Sequence, residues 1–163
     1  MSNLQLGDFM LKIANTIRQL DYTQLLQVYS EQLQGCGVYG SESEFYEDLT
    51  SFLFDPDRFC CLWVCDGRYA ACVRVEPYRN GILMTCLETA PERRRKGIAQ
   101  ALLSSVFELL RQQGCRFVYV HINKKNRPSL ALHNKLGFRV IADSARLADG
   151  TVSQKFFTMK SDI

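Results

Sequence analysis

From Arg58 onward the chain alternates short apolar runs with a longer stretch of helical period. "RFCCLWVCDGRYAACVRVEPY" reads as two apolar strands joined by an Asp66-Gly67 turn, the strongest short-range hairpin signal. A further strand, "ILMTCLET", follows Asn80-Gly81. Then Ile98, Leu102, Val106, Leu109 and Leu110 form one apolar stripe of a helix, and Gly114 stands where a left-handed C-terminal glycine belongs. "FVYVHI" is nearly continuous in its apolar character and suits the interior of a sheet. "NRPSLALHNKLGF" predicts a shorter helix capped by Asn126, with Pro128 in its first turn and Gly137 at its end. The tail, "FRVIADSARLADGTVSQKFFTMK", reads as two strands around Asp149-Gly150.

The first third is less regular. Leu6, Phe9, Met10, Ile13 and Ile17 keep a helical period, yet "ANTIRQL" fits a first strand equally well. Asp21 with Gln24 makes a capping box that opens a helix carrying Leu25, Leu26, Tyr29 and Leu33. Ser41 with Glu44 makes a second, ahead of Phe45, Leu49, Phe52 and Leu53. The acidic residues Glu42, Glu44, Glu47 and Asp48 share that helix, where they favour its first turn and form a solvated face, with a hint of a cationic partner. Strands alternating with helices predict an α/β or α+β architecture, and 163 residues predict one domain, residues 1–163.

Composition narrows the picture by exclusion. Twenty basic and seventeen acidic residues leave a net charge of +3, too mild to imply nucleic-acid binding without a local concentration. No apolar run approaches the ~18 residues of a membrane span. The N-terminal "MSNLQLGDFMLKIANT" lacks the organisation of a secretion signal, so a cytoplasmic protein is expected. Seven cysteines are an odd number, without a C-x-x-C pair and with only two histidines, which argues against disulfides and structural zinc. Cys60, Cys61, Cys65, Cys72 and Cys86 lie in apolar strand-like runs and are expected to be small buried hydrophobes.

The local concentration of charge is "ETAPERRRKGIAQALL", Glu88 to Leu103, where a strand ends, a basic loop turns and a helix begins. The first N–H groups of a helix have no partner within it, and the helix dipole adds partial positive charge. Gly97 and Ala99 lack bulk, so an anion can approach the main chain there. The G-x-x-x-x-G-K-[ST] and G-x-G-x-x-G spacings are both missing, so this is an anion cradle of another kind.

"PERRRKGIA" matches R-x-x-G-x-[GA], with Arg94, Gly97 and Ala99 in the defining places, and "VHINKKNRPSLALHNKLGF" resembles a second motif in the right order and separation. On these motifs the chain is identified as resembling the GNAT superfamily of N-acetyltransferases. "IRQLD" and "FFTMK" look like that family's first and last strands. The resemblance implies a mixed, mostly antiparallel sheet of six to seven strands, splayed in the middle and flanked by about four helices, with acetyl-CoA as co-substrate and no metal. It implies that pantetheine runs between the strand ending near Thr89 and the strand Phe117–Ile122. Arg95, Lys96, Gly97, Ile98, Ala99 and Gln100 would wrap the pyrophosphate with main-chain N–H groups, and Arg94, Arg95 and Lys96 would add side-chain charge. Leu87 and Thr89 would bond the pantetheine amides. Asn126 would contact the thiol-bearing arm or the adjoining loop, and Ser129 and His133 are further candidate cofactor contacts. Arg93 is one basic residue more than the motif requires. Dimers are common among such relatives, so a homodimer belongs to the expectation.

Acetyl transfer to an amine needs a neutral amine, a stabilised oxyanion and a protonated leaving thiolate. A lysine-like amine with pKa ~10.4 is neutral in about one molecule in ~2,500 at pH 7, so deprotonating it is worth roughly 4–5 kcal/mol, whereas an α-amine near ~7.8 needs far less. The family often uses a glutamate on its fourth strand, which nominates Glu88 as base; a strand-end carboxylate partnering nearby arginines is the plainer role. Where many relatives carry a tyrosine as general acid this chain has His133, four residues after Ser129 on one helix face; acid, cofactor contact and packed ring are its three readings. Tyr119 and His121 stand in reserve on the other parity of their strand from Val118. Two further classes stay open: a non-catalytic acyl-CoA sensor, and a nucleic-acid module using "RRRK".

Overall fold

A computed structural model describes residues 8–34 and 37–163. These residues form β1 (Phe9–Ala14), α1 (Tyr22–Val28), α2 (Glu42–Leu53), β2 (Phe59–Cys65), β3 (Arg68–Tyr78), β4 (Gly81–Thr89), α3 (Ile98–Gln112), β5 (Phe117–Asn123), α4 (Arg127–Lys135), β6 (Arg139–Ala142), β7 (Ala145–Arg146), β8 (Val152–Ser153) and β9 (Phe156–Asp162), with short 3-10 turns at Ile17–Gln19, Ser30–Leu33 and Pro91–Arg93. Seven strands make a sheet in the order β1-β2-β3-β4-β5-β9-β6. It is mixed: β4 and β5 pair parallel, while β1 with β2, β2 with β3, and β9 with both β5 and β6 pair antiparallel. The parallel pairing is brief, Ile82 to Met84 against Val118 to Val120, and Cys86 farther along β4 takes a left-handed φ of 53°. This is the splayed sheet with four helices that the resemblance implies.

The chain groups into two compact units, one taking in the described residues up to Val75 together with Cys86–Ser105, the other Glu76–Thr85 with Val106–Ile163. In the first, α1 and α2 bury Leu25, Val28, Phe45, Leu49 and Phe52 with Leu62, Val64 and Cys72 of the sheet. Both α1 and α2 carry the caps read from the sequence: Asp21 Oδ1 accepts from Gln24 N at 3.1 Å and Ser41 Oγ from Glu44 N at 3.1 Å. The reciprocal arm of the second box slides by one residue, with Glu44 Oε2 accepting from Gly40 N at 2.8 Å. In the second unit, Phe138 packs against Phe107 and His133, with ring centroids 5.8 and 5.1 Å apart. Gly114 and Gly137 end α3 and α4 at φ 81° and 91°, as glycines past a helix end do.

Several expectations need correction. The first strand is Phe9–Ala14, while "IRQ" is a 3-10 turn; Leu6 lies outside the described residues. The helix after Asp21 stops at Val28 and resumes as the Ser30–Leu33 turn, so Leu33 is not on α1. The β3–β4 turn is made by Arg79, at φ 50°, and Asn80; Gly81 already belongs to β4. A Cβ at Gly81 would lie 2.1 Å from Phe117 O, so close backbone approach, not turn geometry, requires the glycine. The tail holds four strands: β6 and β9 join the main sheet, while β7 and β8 form a separate two-residue ribbon around Asp149-Gly150. Cys60, Cys61, Cys65 and Cys72 are buried free thiols, but Cys86 is exposed.

Candidate active site

The loop after β4 bends twice into the left-handed region, at Arg95 (φ 61°) and Gly97 (φ 75°), before α3 begins at Ile98. Alternating backbone handedness of this kind turns successive N–H groups toward one concave side, an arrangement that binds anions. Ala101 N bonds Gly97 O at 3.0 Å, which leaves the N–H groups of Ile98, Ala99 and Gln100 in the helix's first turn, where they have no intrahelical acceptor. Nothing lies within 4 Å of a Cβ built on Gly97, so the glycine is needed for its φ, and the space before it is open. Arg95 and Lys96 are exposed there, while Ile98 is buried and anchors the helix start. The residues expected to hold a diphosphate are therefore contiguous and fit an anionic ligand.

Arg94 points elsewhere. Its Nη1 donates to Glu31 Oε2 at 2.6 Å, its Nη2 to Glu88 Oε1 at 2.8 Å, and its Nε makes a long bond to Thr89 O at 3.4 Å. Partial burial pulls its pKa down, but the hydrogen bonds to Glu31 and Glu88 outweigh it, and the balance is upward. Glu88, with a side chain only 15% exposed, also accepts from Gln32 Nε2 through Oε2 at 2.9 Å. Both oxygens of the candidate base are thus engaged. Sequence reasoning missed Glu31 and Gln32, since an isolated "EQ" after a helix carries no signal. It also read Tyr29 as a core residue only. The ring does pack on Phe45, and its hydroxyl donates to Cys86 O at 2.6 Å.

In the second unit, Asn126 Oδ1 caps α4 by accepting from Ser129 N at 3.2 Å, as the sequence indicates. His133 is 3% exposed. Its Nδ1 stands 2.7 Å from Ser129 O, which can only accept, so Nδ1 carries the proton and Nε2 keeps its lone pair. Burial lowers the imidazole pKa below its ordinary value, against a smaller upward pull from the Ser129 backbone. Of the β5 residues, His121 has its Nε2 3.4 Å from Tyr78 Oη, and Tyr119 Oη donates to Asn80 Oδ1 at 2.6 Å. Burial and then Arg79 lower the His121 pKa as well. Both reserve side chains thus have a polar partner.

The acidic face of α2 is partly spent on structure. Asp48 accepts from Arg74 Nη1 at 2.7 Å and from Tyr39 Oη at 2.9 Å, and Arg74 is a buried residue of β3. Among the described residues no three His, Cys, Asp or Glu side chains gather as a metal site, and no helix is long and apolar enough to cross a membrane.

Comparison with known proteins gives these features a setting. A streptothricin acetyltransferase from Streptomyces lavendulae is 24% identical over 130 residues, 80% of this chain; the chain spans 65% of that relative's length. The fold matches the PaiA N-acetyltransferase of Thermoplasma acidophilum, solved with coenzyme A, at TM-score 0.67 and 16% identity over 94% of this chain and 99% of that one. It matches the ribosomal-protein-S18-alanine N-acetyltransferase of Escherichia coli at TM-score 0.69 and 20% identity over 94% of each chain. The model of the acetyltransferase (GNAT) family covers residues 22–138, from the first residue of α1 to the end of the second motif, and the chain belongs to that family.

Proposed function

We propose that the protein is an acetyl-CoA-dependent N-acetyltransferase acting on a primary amine of a small molecule or a peptide, by direct attack within a ternary complex. The observation that carries this reading is the left-handed pair Arg95 and Gly97 opening into α3, a backbone cradle without a competing side chain. Main-chain N–H groups from Arg95 to Gln100 bind the diphosphate, and Arg95 and Lys96 add charge. Leu87 and Thr89 offer backbone groups to the pantetheine amides. Asn126 and Ser129 serve the cofactor's arm.

The bound cofactor supplies an activated acetyl thioester. A backbone N–H near Thr89 would polarise the carbonyl of that thioester toward attack by the amine. Glu88 receives the proton leaving nitrogen, directly or through water, by giving up its neutral Gln32 partner while Arg94 holds the other oxygen. For an amine that arrives neutral, the proton leaving nitrogen equals the one the thiol would regain; an amine that arrives as a cation gives up one further proton, which Glu88 would pass to solvent. His133 enters as a neutral group that offers Nε2 as an acceptor, since a buried ring with a lowered pKa is a poor imidazolium donor near neutral pH.

The acceptors named for the relatives, streptothricin and a ribosomal-protein alanine, are both amines and set the panel to try. Thiol release from acetyl-CoA should appear with at least one of streptothricin, a polyamine or an N-terminal-alanine peptide, and Glu88→Gln should cut it by about 10²–10⁴-fold. Cofactor binding without turnover on any of them would favour the second reading, an acyl-CoA sensor. The observation on its side is that both oxygens of Glu88 are already bonded.

A further inference from the structure

Three side-chain links run from the corner after α1 to the end of β4 and its loop. Tyr29 Oη donates to Cys86 O at 2.6 Å, Gln32 Nε2 to Glu88 Oε2 at 2.9 Å, and Glu31 Oε2 accepts from Arg94 Nη1 at 2.6 Å. Arg94 closes the circuit by holding Glu88 Oε1 at 2.8 Å. A guanidinium fork can bind two carboxylates at once in fixed geometry, which a point charge cannot. Here the fork is divided between a carboxylate on the Ser30–Leu33 turn and one on β4, and Arg94 is joined directly to Arg95, the first left-handed residue of the cradle. Any ligand that fixes the cradle must also fix the root of Arg94, and through it the position of Glu31.

We propose that Arg94 is a positioning residue that couples the cradle to the Ser30–Leu33 turn, and not a phosphate ligand. The inference rests on the acetyl-CoA reading for what fills the cradle. Cofactor binding orders Arg94; Arg94 orders Glu31 and Glu88; the turn and the candidate base are set before the amine arrives. The charge count fits this use: two carboxylates against one guanidinium leave the bridge with a net −1, a favourable neighbour for an amine that arrives as a cation.

Amide hydrogen exchange on the full-length chain, with and without coenzyme A, tests the coupling. Saturating coenzyme A should slow exchange about tenfold or more at both 95–101 and 30–33 in the wild type. In Arg94→Ala, protection at 95–101 should persist, with affinity by calorimetry within about threefold of wild type, while protection at 30–33 disappears. Glu31→Gln should behave in the same way and stands in if the first variant fails to fold. Loss of affinity by about tenfold or more in Arg94→Ala would make Arg94 a phosphate ligand and overturn the proposal. So would protection at 30–33 that survives in both variants, or that never appears in the wild type while the cradle is protected. Should the wild type bind no coenzyme A, the acetyl-CoA reading fails separately. The bridge is then judged without ligand, where unchanged exchange at 30–33 in Arg94→Ala refutes it.

Discussion

Glu88 and Arg94 are bound to each other, oxygen to nitrogen at 2.8 Å, across a loop of five residues that begins at the end of β4. The pair joins two residues that the sequence suggested for separate jobs, one for proton transfer and one for phosphate. Their union gives the carboxylate a fixed orientation and gives the arginine a structural anchor. On the proposed reading, the anion would then fall to the backbone N–H groups and to Arg95 and Lys96, both exposed.

The same economy appears at Asp48. Arg74 is buried, lies 5.1 Å from the Phe52 ring centroid and has Asp48 as its carboxylate partner at 2.7 Å. Removing the partner of a buried guanidinium leaves that charge uncompensated, which is costly. Asp48 is half-exposed, which moderates the loss, so Asp48→Asn should destabilise the fold by about 1–3 kcal/mol. Chemical denaturation checks this. Glu47→Gln, an exposed change on the same helix, should stay within about 0.5 kcal/mol of wild type.

His133 should leave a signature in stability against pH. Its folded pKa lies below the ordinary value because the ring is buried, so the unfolded chain takes up the proton first as the solution is acidified. Its stabilising contribution is therefore complete above the unfolded pKa of ~6.5 and is lost as pH falls through that value toward the folded one. Urea titrations at pH 7.5 and pH 5.5 should show a drop in stability that His133→Phe reduces. His121, also lowered, accounts for part of what remains. An identical drop in the variant would mean that the ring is not held neutral.

Thiol reactivity should separate Cys86 from its neighbours. Among the described cysteines it is the exposed one, Cys115 is intermediate, and Cys60, Cys61, Cys65 and Cys72 are buried. Burial pushes the Cys61 thiol up to about 12, and the thiolate is the reactive form. Under native conditions iodoacetamide should modify Cys86 well before Cys61, by about a hundredfold in rate. Peptide mass spectrometry over a time course reads the order.

Much of this was legible in the sequence, for local reasons. The candidate cradle is spelled by adjacent residues, Arg95 to Gln100, and caps such as Asp21 with Gln24 or Asn126 with Ser129 lie within one helical turn. The Glu31–Arg94 and Gln32–Glu88 contacts bridge 63 and 56 positions, and neither partner sits in a pattern that forecasts the other. Asp48 resembled its solvated neighbours because only the fold brings a buried arginine beneath it. The first strand was ambiguous because Phe9, Met10 and Ile13 are exposed on an edge strand, so the alternation that marks a half-buried strand is blurred there. Cys86 looked apolar by its surroundings, but the left-handed turn of β4 at that residue brings it to the surface.

The central claim is that backbone N–H groups around Gly97 hold the diphosphate of coenzyme A, and titration calorimetry tests it most directly. Coenzyme A should bind the wild type with measurable heat. Gly97→Glu should weaken binding by about a hundredfold or more, because it puts a carboxylate into the cradle and a side chain at φ 75°. No heat with the wild type, or equal affinity in the variant, would contradict the account.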